Sequence, residues 1–449
     1  MRIHLLCDHK WRDLPNLTAL SVGLKKLGHS VLVSATKNAE AMISVYRPDC
    51  VVFNHLFSEA HRDLARGLKT SGVAVVVLPT EGAMRPEFSS LLEGEFSDFS
   101  LADIILCWNK ASANGIRKRW GRGEEFAPVV GCNRTDFYSE SFASAVLDRE
   151  SLCRRYGLNP DKKIVTWATQ YGYAYLAEKK HSAGLDKWLN EIEDVGSKVC
   201  YERIGLQARN VPQLFSEDRA SAAEAFFSLV TTRPDLQFLI KPHPIEDLSF
   251  YNKMIEQHQC SNVFFCPTDY IWNVLNATDV LLHRQCTTAV EAWIWNKPTI
   301  EMEMNAIPQW AWPDRERGSL IATSSEQLIE FVDRCLAGVI LSDDMISLRT
   351  NYATECFGEI DGGRCRYTAE IIDRFLKERG PKRHFFQSLK GIQTGVRSSI
   401  SAALSYQLNR KPGQALLGSQ LDISSQVAVD KLITKKDVSL YADIAEKCL

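Results

Sequence analysis

The chain has 449 residues, of which 45% are hydrophobic and 24% are charged, a balance typical of folded globular proteins and unlike that of disordered ones. The 53 basic and 55 acidic residues give a formal net charge of −2, which argues against a generally basic nucleic-acid-binding protein. Apolar runs such as 73–78 are far shorter than the roughly 20 residues that span a bilayer. Asp8, His9 and Lys10 interrupt the first apolar stretch too early for a secretory signal. The sequence therefore predicts a cytoplasmic globular protein.

The 13 cysteines are scattered along the chain and form neither a C-x-x-C pair nor a two-pair zinc spacing. Their odd number and the absence of an export signal predict reduced, mostly buried thiols, as is usual in a reducing compartment. No metal site is predicted.

In chain order, the first third alternates apolar runs with helical patterns. The predicted strands cover residues 2–7, 30–34, 50–54, 73–78, 102–108 and 127–130, and the clearest helices cover 16–27 and 58–70. Strands that are apolar on both faces and separated by helices indicate a parallel sheet with both faces covered.

A second series of strands follows a polar segment at 139–162. Its members are predicted at 164–168, 237–240, 263–265, 280–282 and 299–302. Two such α/β series predict two doubly wound domains facing a cleft, with ligands beyond the carboxyl ends of the strands. The predicted domains are 1–145 and 146–380, followed by a tail at 381–449.

The tail is basic near its start. Residues 381–421 contain six Lys or Arg and no Asp or Glu, and apolar residues recur there at helical intervals. Such a helix suits an anionic membrane surface. The alternative is a C-terminal helix packed on the body of the protein, or a partly ordered tail.

Two loops of the first domain follow predicted strands and carry ionisable groups. The first, at 8–14, is dense in charge, as a surface turn also is. The second is Thr80-Glu81-Gly82, where a carboxylate at the mouth of a parallel sheet is placed for proton transfer beside a glycine that permits a tight turn. The structural alternative for Glu81 is a helix cap or an ion pair.

The second domain also has two such loops. In Lys241-Pro242-His243-Pro244, prolines restrict the backbone around an imidazole that can offer a hydrogen bond or a charge to a phosphate. A purely structural histidine is the alternative.

The other loop of the second domain spans 283–292. Thr288 and Glu291 have capping-box spacing, which predicts a helix start whose N–H groups and hydroxyls also suit an anion. Cys286 is a conceivable nucleophile, but a histidine three residues away at position 283 is weak evidence for a catalytic pair.

Known nucleotide-binding signatures are missing from the sequence. There is no G-x-x-x-x-G-K-[ST] loop and no strand followed by G-x-G-x-x-G, so a P-loop ATP site and a dinucleotide site are both disfavoured. No cofactor is expected.

Taken together, the loops resemble bacterial two-domain sugar transferases of the GT-B type that use CMP-activated acidic sugars. Sialyl- and polysialyltransferases carry a D/E-D/E-G motif, then H-P, then a short Ser/Thr motif. Here Thr80-Glu81-Gly82 matches the first with Thr in place of the leading acid, while His243-Pro244 and Thr287-Thr288 match the others in the same order.

A closer similarity is to surface carbohydrate biosynthesis proteins related to capsule and lipopolysaccharide Kdo transferases. It covers about residues 1 to 310. The motifs that carry it are Arg12-Asp13-Leu14, Glu81-Gly82, Asp279-Val280-Leu281-Leu282-His283, Cys286-Thr287-Thr288, Glu291-Ala292 and Lys297-Pro298.

The resemblance implies an α/β GT-B fold with two Rossmann-like domains. It also implies transfer of an acidic sugar, with Kdo expected, from a CMP-activated donor to a glycan or glycolipid acceptor in surface polysaccharide synthesis. Contact with the inner face of the membrane through the basic tail is compatible with this role.

The implied catalytic residues are Glu81, His243 and Asp13. The implied substrate-binding residues are Arg12, Lys241, Pro244, Arg284, Cys286, Thr287, Thr288 and Glu291. Arg12, Arg134 or Arg284 would pair with the carboxylate of the donor sugar.

Two other functions remain open on the sequence. One is a GT-B transferase that uses a UDP-sugar or CDP-glycerol. The other is a non-catalytic GT-B-like subunit that binds a glycan. Whether the reaction retains or inverts configuration is also open, because retention would need a carboxylate nucleophile such as Asp13 or Glu81.

Overall fold

The computed structural model describes residues 1–82, 88–95, 97–178, 181–194, 196–312, 317–338, 341–380, 433 and 435–449. These residues form two parallel sheets flanked by helices. The predicted class, two Rossmann-like doubly wound domains, is confirmed. We call the sheet of residues 2–105 and the elements around it the first half, and the sheet of residues 164–322 and its surroundings the second half.

The first sheet has the strand order β2-β1-β3-β4-β5, all parallel. Its strands are β1 Arg2–Cys7, β2 Ser30–Ala35, β3 Cys50–Phe53, β4 Ala74–Val77 and β5 Ile104–Ile105. Alternate side chains of β3 and β4 enter separate apolar clusters on the two faces of the sheet. Because helices cover both faces, β3 and β4 are apolar throughout, without polar alternation.

The second sheet has the order β11-β10-β9-β6-β7-β8, again parallel. Its strands are β6 Ile164–Ala168, β7 Gln237–Lys241, β8 Val263–Phe265, β9 Val280–His283, β10 Thr299–Met302 and β11 Leu320–Ala322. Its largest core cluster is built around Trp167, Phe226 and Phe238.

The described α-helices connect and cover these strands. They are α1 Lys10–Lys26, α2 Ala39–Tyr46, α3 Glu59–Thr70, α4 Ser89–Leu92, α5 Lys110–Trp120, α6 Arg149–Tyr156, α7 Ser182–Asp194, α8 Ser197–Arg203, α9 Val211–Thr232, α10 Leu248–His258, α11 Ile271–Ala277, α12 Thr288–Ile294, α13 Ser325–Leu336, α14 Asp343–Phe357, α15 Arg364–Arg379 and α16 Lys435–Cys448.

Two local predictions need correction. The first helix begins at Lys10, six residues before its predicted start, so the charged segment expected as a loop supplies the first turn of α1. The predicted strand at 127–130 is reduced to a single bridge between Cys107 and Val129. Pro128 lacks an N–H group and Gly131 has a positive φ of 84°, so a longer ladder cannot form there.

The C-terminal elements return to the first half. Helix α15 packs against α1, and its Ala369, Ile372 and Leu376 enter the core that contains β1 and β3. Residues 364–379, which fall within the predicted second domain, therefore complete the hydrophobic core of the first half. Helix α16 also packs on α1, whereas the basic segment 381–421 lies outside the described residues.

All thirteen cysteines are free thiols, and nine of them are buried. Their burial agrees with the expectation of reduced core thiols.

In the part of the chain that the structure describes, no helix combines the length and the hydropathy that a membrane-spanning segment needs.

Candidate functional site

The carboxyl edge of the first sheet brings together loops that are distant in sequence. Strands β1, β3 and β4 are neighbours, so the segments that follow them lie side by side. These segments supply Arg12, Asn54 and Glu81. The order of strands, rather than the order along the chain, therefore assembles this side of the candidate site.

Arg12 is the centre of a cluster of acidic groups. Its Nε and Nη2 donate to the two carboxylate oxygens of Asp13 at 2.7 and 3.0 Å. Its Nη1 donates to Glu81 Oε1 at 3.3 Å, and Nη2 lies 3.4 Å from Asp8 Oδ2. Burial disfavours the charge of Arg12, but Asp13, Glu81 and Asp8 outweigh it and raise its pKa. We call these four residues the Arg12 cluster.

Asp13 and Glu81 occupy different environments within the Arg12 cluster. Asp13 is buried, and besides Arg12 it accepts hydrogen bonds from the His9 backbone N–H at 3.0 Å and from Asn54 Nδ2 at 3.2 Å. The side chain of Glu81 is 45% exposed. Asp13 is therefore placed to hold Arg12, while Glu81 is placed to meet a ligand.

Gly82 is needed for a close approach of an aromatic ring. A Cβ atom at this position would lie 2.3 Å from Trp108 Cδ2, and the Trp108 indole also donates to the Pro79 carbonyl at 2.8 Å. This close approach is a reason for glycine at position 82 besides the tight turn that the sequence predicts. The indole ring occupies the space that a side chain would fill.

A cavity of about 120 Å³ opens beside the Arg12 cluster, between Asp8 and Glu81. Its aromatic wall includes His55 and Phe57, whose rings stack at 5.1 Å with an interplanar angle of 15°. Burial and the neighbouring His61 lower the pKa of His55 to about 4. The cavity is therefore lined both by flat aromatic rings and by carboxylates that can accept hydrogen bonds.

In the second half, Glu246 fixes the loop that carries His243. Glu246 Oε1 accepts from the backbone N–H groups of Tyr171 at 2.7 Å and His243 at 3.3 Å, and from Thr169 Oγ1 at 2.7 Å. Its other oxygen accepts from the Tyr251 hydroxyl. Glu246 is buried, and this burial raises its pKa. Glu246 is not among the site residues predicted from the sequence.

His243 lies in the cleft between the two halves. The side chain of His243 is accessible to solvent, but many protein atoms surround its ring. This partial burial is the main reason why its pKa is lowered, and the charges of Lys241, His9 and Arg12 lower it further. Two of these residues, His9 and Arg12, belong to the first half. The His243 ring accepts from Ile245 N through Nδ1 at 3.4 Å, so the neutral imidazole carries its proton on Nε2.

The β9–α12 loop emerges at the same edge of the second sheet as His243. Strands β7 and β9 flank β6, which separates their ends by roughly 10 Å. Cys286, Thr287 and Thr288 are partly exposed there, after six buried residues. The two loops therefore emerge at the same edge of the second sheet, from strands separated by one strand.

The predicted capping box does not form. Helix α12 does begin at Thr288, but its N-cap, Thr287, makes no side-chain capping bond. Glu291 instead pairs with Arg134 Nη2 at 2.8 Å and accepts from the Tyr138 hydroxyl at 2.6 Å. The carboxylate that was expected to cap the helix therefore forms an ion pair with Arg134 of the first half.

Arg284, another predicted substrate ligand, is 1% exposed. It donates to Asp218 Oδ2 at 3.1 Å and to Glu301 Oε1 at 2.9 Å. These contacts occupy its guanidinium inside the second half, away from the cleft. Of the three arginines considered for the donor carboxylate, Arg284 is therefore the least accessible.

A second cavity, of about 850 Å³, lies between the start of α5 and the α14–α15 connection. Its described lining includes none of the predicted site residues. Within the described ranges, no group of three or more His, Cys, Asp or Glu side chains is arranged to hold a metal ion.

Comparison with known proteins defines the class of fold. No protein-family model matches the sequence, and a search of curated proteins returned no match. Solved structures do match, and they show that the chain has the two-domain, Rossmann-like GT-B fold.

One match is UDP-GlcNAc 2-epimerase from Neisseria meningitidis bound to UDP-GlcNAc, with TM-score 0.53, 10% identity, and coverage of 83% of this chain and 100% of the other. Another is MnaA of S. aureus with UDP, with TM-score 0.52, 13% identity, and coverage of 86% and 100%. At this identity the likeness concerns the fold.

Proposed function

We propose that this chain is a glycosyltransferase that moves a sugar from a nucleotide-activated donor to a glycan or glycolipid acceptor. The observation that carries the proposal is the pairing of Glu81 with Arg12. A half-exposed carboxylate is held at the carboxyl edge of the first sheet, on the side of the cleft that faces His243. This position supports the proposal, because a carboxylate there is able to accept a proton from a sugar hydroxyl or to orient it.

The two sides of the cleft carry different charges and therefore suit different substrates. The Arg12 cluster contains three carboxylates around one guanidinium, so it favours an uncharged, hydroxyl-bearing acceptor over an anion. Lys241 and the Nε2–H of His243 are on the opposite side, where a leaving phosphate would gain negative charge. In this proposal Arg12 positions Glu81, and the donor lies on the second half.

The second half also offers hydroxyl groups to the donor. Thr287 and Thr288 are partly exposed at the same edge of the sheet as His243, and Cys286 donates to Thr288 Oγ1 at 3.2 Å. Pro244 restricts the backbone that follows the imidazole. Glu291, paired with Arg134, holds this loop against the first half.

For the donor, we propose a CMP-activated acidic sugar, with Kdo the expected one. The support is the resemblance of Glu81-Gly82, His243-Pro244 and Cys286-Thr287-Thr288 to the motifs of transferases that use such donors. A UDP-sugar is the second candidate, because the fold neighbours from N. meningitidis and S. aureus were solved with UDP-GlcNAc and UDP.

Thermal denaturation with CMP, CDP, UMP and UDP tests the proposal. A ligand at 100 times its Kd stabilises the folded state by about 2.7 kcal/mol. Selective stabilisation by CMP supports the proposed donor, and stabilisation by UDP supports the second candidate. If no nucleotide raises the melting temperature, the chain is better described as a glycan-binding subunit.

Two variants locate the binding site in the same assay. His243→Ala should reduce the nucleotide-induced shift. His258→Ala is the matched control, because this exposed residue ends α10 near the opposite edge of the same sheet. Equal loss of the shift in both variants would place the nucleotide elsewhere.

A further inference from the structure

The loop between β9 and α12 contains a residue in an unfavourable backbone conformation. Gln285 has φ +51°, in the left-handed region that residues with side chains seldom adopt. Such a conformation persists only where surrounding contacts enforce it. Gln285 directly precedes Cys286, Thr287 and Thr288, the segment assigned above to the donor side of the cleft.

One carboxylate holds this part of the loop. Glu301 lies on β10, in register with His283 on the neighbouring strand. Its Oε1 accepts from Gln285 N at 2.8 Å and from Arg284 Nη1 at 2.9 Å, and its Oε2 lies 2.9 Å from His283 Nδ1. Three successive residues of the loop therefore contact a single side chain.

The carboxylate is itself held in place by its surroundings. Arg284 Nε donates to Asp218 Oδ2 on α9 at 3.1 Å, and His283 Nε2 lies 2.9 Å from Ser319 Oγ. All of these side chains are buried. Because water is excluded, these charge-assisted bonds are strong, and the loss of one partner leaves a buried charge uncompensated.

The strained position marks where the chain leaves the core. Residues 281–285 are buried, and 286–288 are partly exposed. Three residues further on, Glu291 reaches Arg134 of the first half. The backbone direction at Gln285 therefore determines how the exposed segment enters the cleft.

We propose that Glu301 is a positioning residue: by holding Gln285 in its left-handed conformation it orients the segment Cys286–Thr288 towards the nucleotide. This inference rests on the proposed function only in taking that segment as part of the donor site. Glu301 itself stays in the core and touches no substrate.

The test compares Glu301→Gln with the wild-type protein by hydrogen–deuterium exchange and nucleotide affinity. Glutamine keeps the size and an accepting oxygen but loses the charge that faces Arg284. We expect amide exchange in 285–290 to rise at least tenfold and nucleotide affinity to fall about tenfold. Glu330→Gln, on the exposed face of α13, is the control and should change neither.

A second substitution separates positioning from general stability. Asparagine tolerates the left-handed conformation better than glutamine does. Adding Gln285→Asn to Glu301→Gln should therefore restore slow exchange in the loop and most of the nucleotide affinity. If the stability of the whole second half falls and Gln285→Asn restores nothing, Glu301 has only a structural role and the proposal is overturned.

The two readouts distinguish this inference from the proposed function. Unchanged exchange at 285–290 in Glu301→Gln overturns the inference, whatever the nucleotide does. If the wild-type protein binds no nucleotide, the proposed function fails, while loop exchange still decides the role of Glu301. Should Glu301→Gln not fold, Gln285→Val tests the same idea with the carboxylate intact, because a β-branched residue opposes the left-handed conformation and should loosen the same segment.

Discussion

Arg134 and Glu291 join the two halves of the protein, with Arg134 Nη2 2.8 Å from Glu291 Oε1. Both side chains are largely buried, at 12% and 4% exposure. The Arg134 guanidinium also lies 5.5 Å from the centre of the Trp108 ring, which packs against Gly82. The ion pair thus connects the loop of Glu81 with the start of α12.

Removing one partner of this ion pair should be costly. Arg134→Met would leave Glu291 charged and buried, so we expect the free energy of unfolding to fall by about 3 kcal/mol. Arg134→Met combined with Glu291→Gln should recover part of that loss. Urea denaturation of these two variants and of Glu291→Gln alone measures the coupling.

Arg209→Met is the matched control for the ion pair. Its partner Asp186 and Arg209 itself are well exposed, with side-chain exposures of 68% and 65%. Water screens such a pair, so the urea midpoint should barely move. Strictly additive effects of the Arg134 and Glu291 substitutions would show that the two side chains do not interact in solution.

Glu81→Gln should abolish most of the catalytic activity without unfolding the protein. Loss of a positioned acid or base commonly reduces the rate by about 10²- to 10⁴-fold. The side chain is half-exposed, so the melting temperature should stay close to that of the wild type. Transfer assays should use the donor that the melting experiments select.

Glu40→Gln, an exposed substitution on α2, is the control for Glu81. It should keep full activity. Normal turnover by a folded Glu81→Gln protein would remove Glu81 from the mechanism.

Gly82→Ala should disturb the site through packing. The new methyl group would overlap the Trp108 ring, so we expect a lower melting temperature and a change in tryptophan fluorescence. Gly67→Ala is the control, because Gly67 lies in α3 with nothing within 4 Å of an added Cβ.

The control substitution should have the opposite effect on stability. Replacing a glycine inside an open helix by alanine stabilises by about 0.5–1 kcal/mol. Equal melting temperatures for Gly82→Ala and the wild type would mean that the indole ring moves aside without cost.

The buried side chain of His4 should make the folded protein less stable in acid. It is fully buried on β1, its Nε2 lies 2.7 Å from Ser34 Oγ, and burial lowers its pKa from 6.5 to about 4. The unfolded chain takes up a proton as the pH falls below 6.5, whereas the folded state does so only near pH 4. This histidine should therefore cost about 2 kcal/mol of stability between pH 7 and pH 5.

Urea denaturation at the two pH values checks this prediction. His4→Gln, which retains a polar end for Ser34 but does not titrate, should lose less stability over the same interval. An identical pH dependence of stability in the variant and the wild type would show that His4 does not cause the loss.

Much of the architecture was predictable because the strands have a simple pattern. Val51–Phe53 and Val75–Val77 are continuously apolar, and Ile164–Ala168 is interrupted only by Thr166, a pattern typical of a parallel sheet covered on both faces. The positions of the candidate site loops were predictable for the same reason, because ligands bind such sheets beyond the carboxyl ends of the strands. The start of α1 was missed because its first turn is too polar to show a helical pattern.

The sequence by itself determined the two doubly wound sheets and the edge of each at which Arg12, Glu81, His243 and Thr287 lie. Hydrophobic periodicity is local, so it can be read without knowing any distant contact. Only the tertiary structure decided which charges meet, because partners such as Arg134 and Glu291 are separated by more than 150 residues along the chain. The same long-range contacts decided that Asp13 supports Arg12, that Arg284 is buried against Glu301, and that α15 completes the core of the first half.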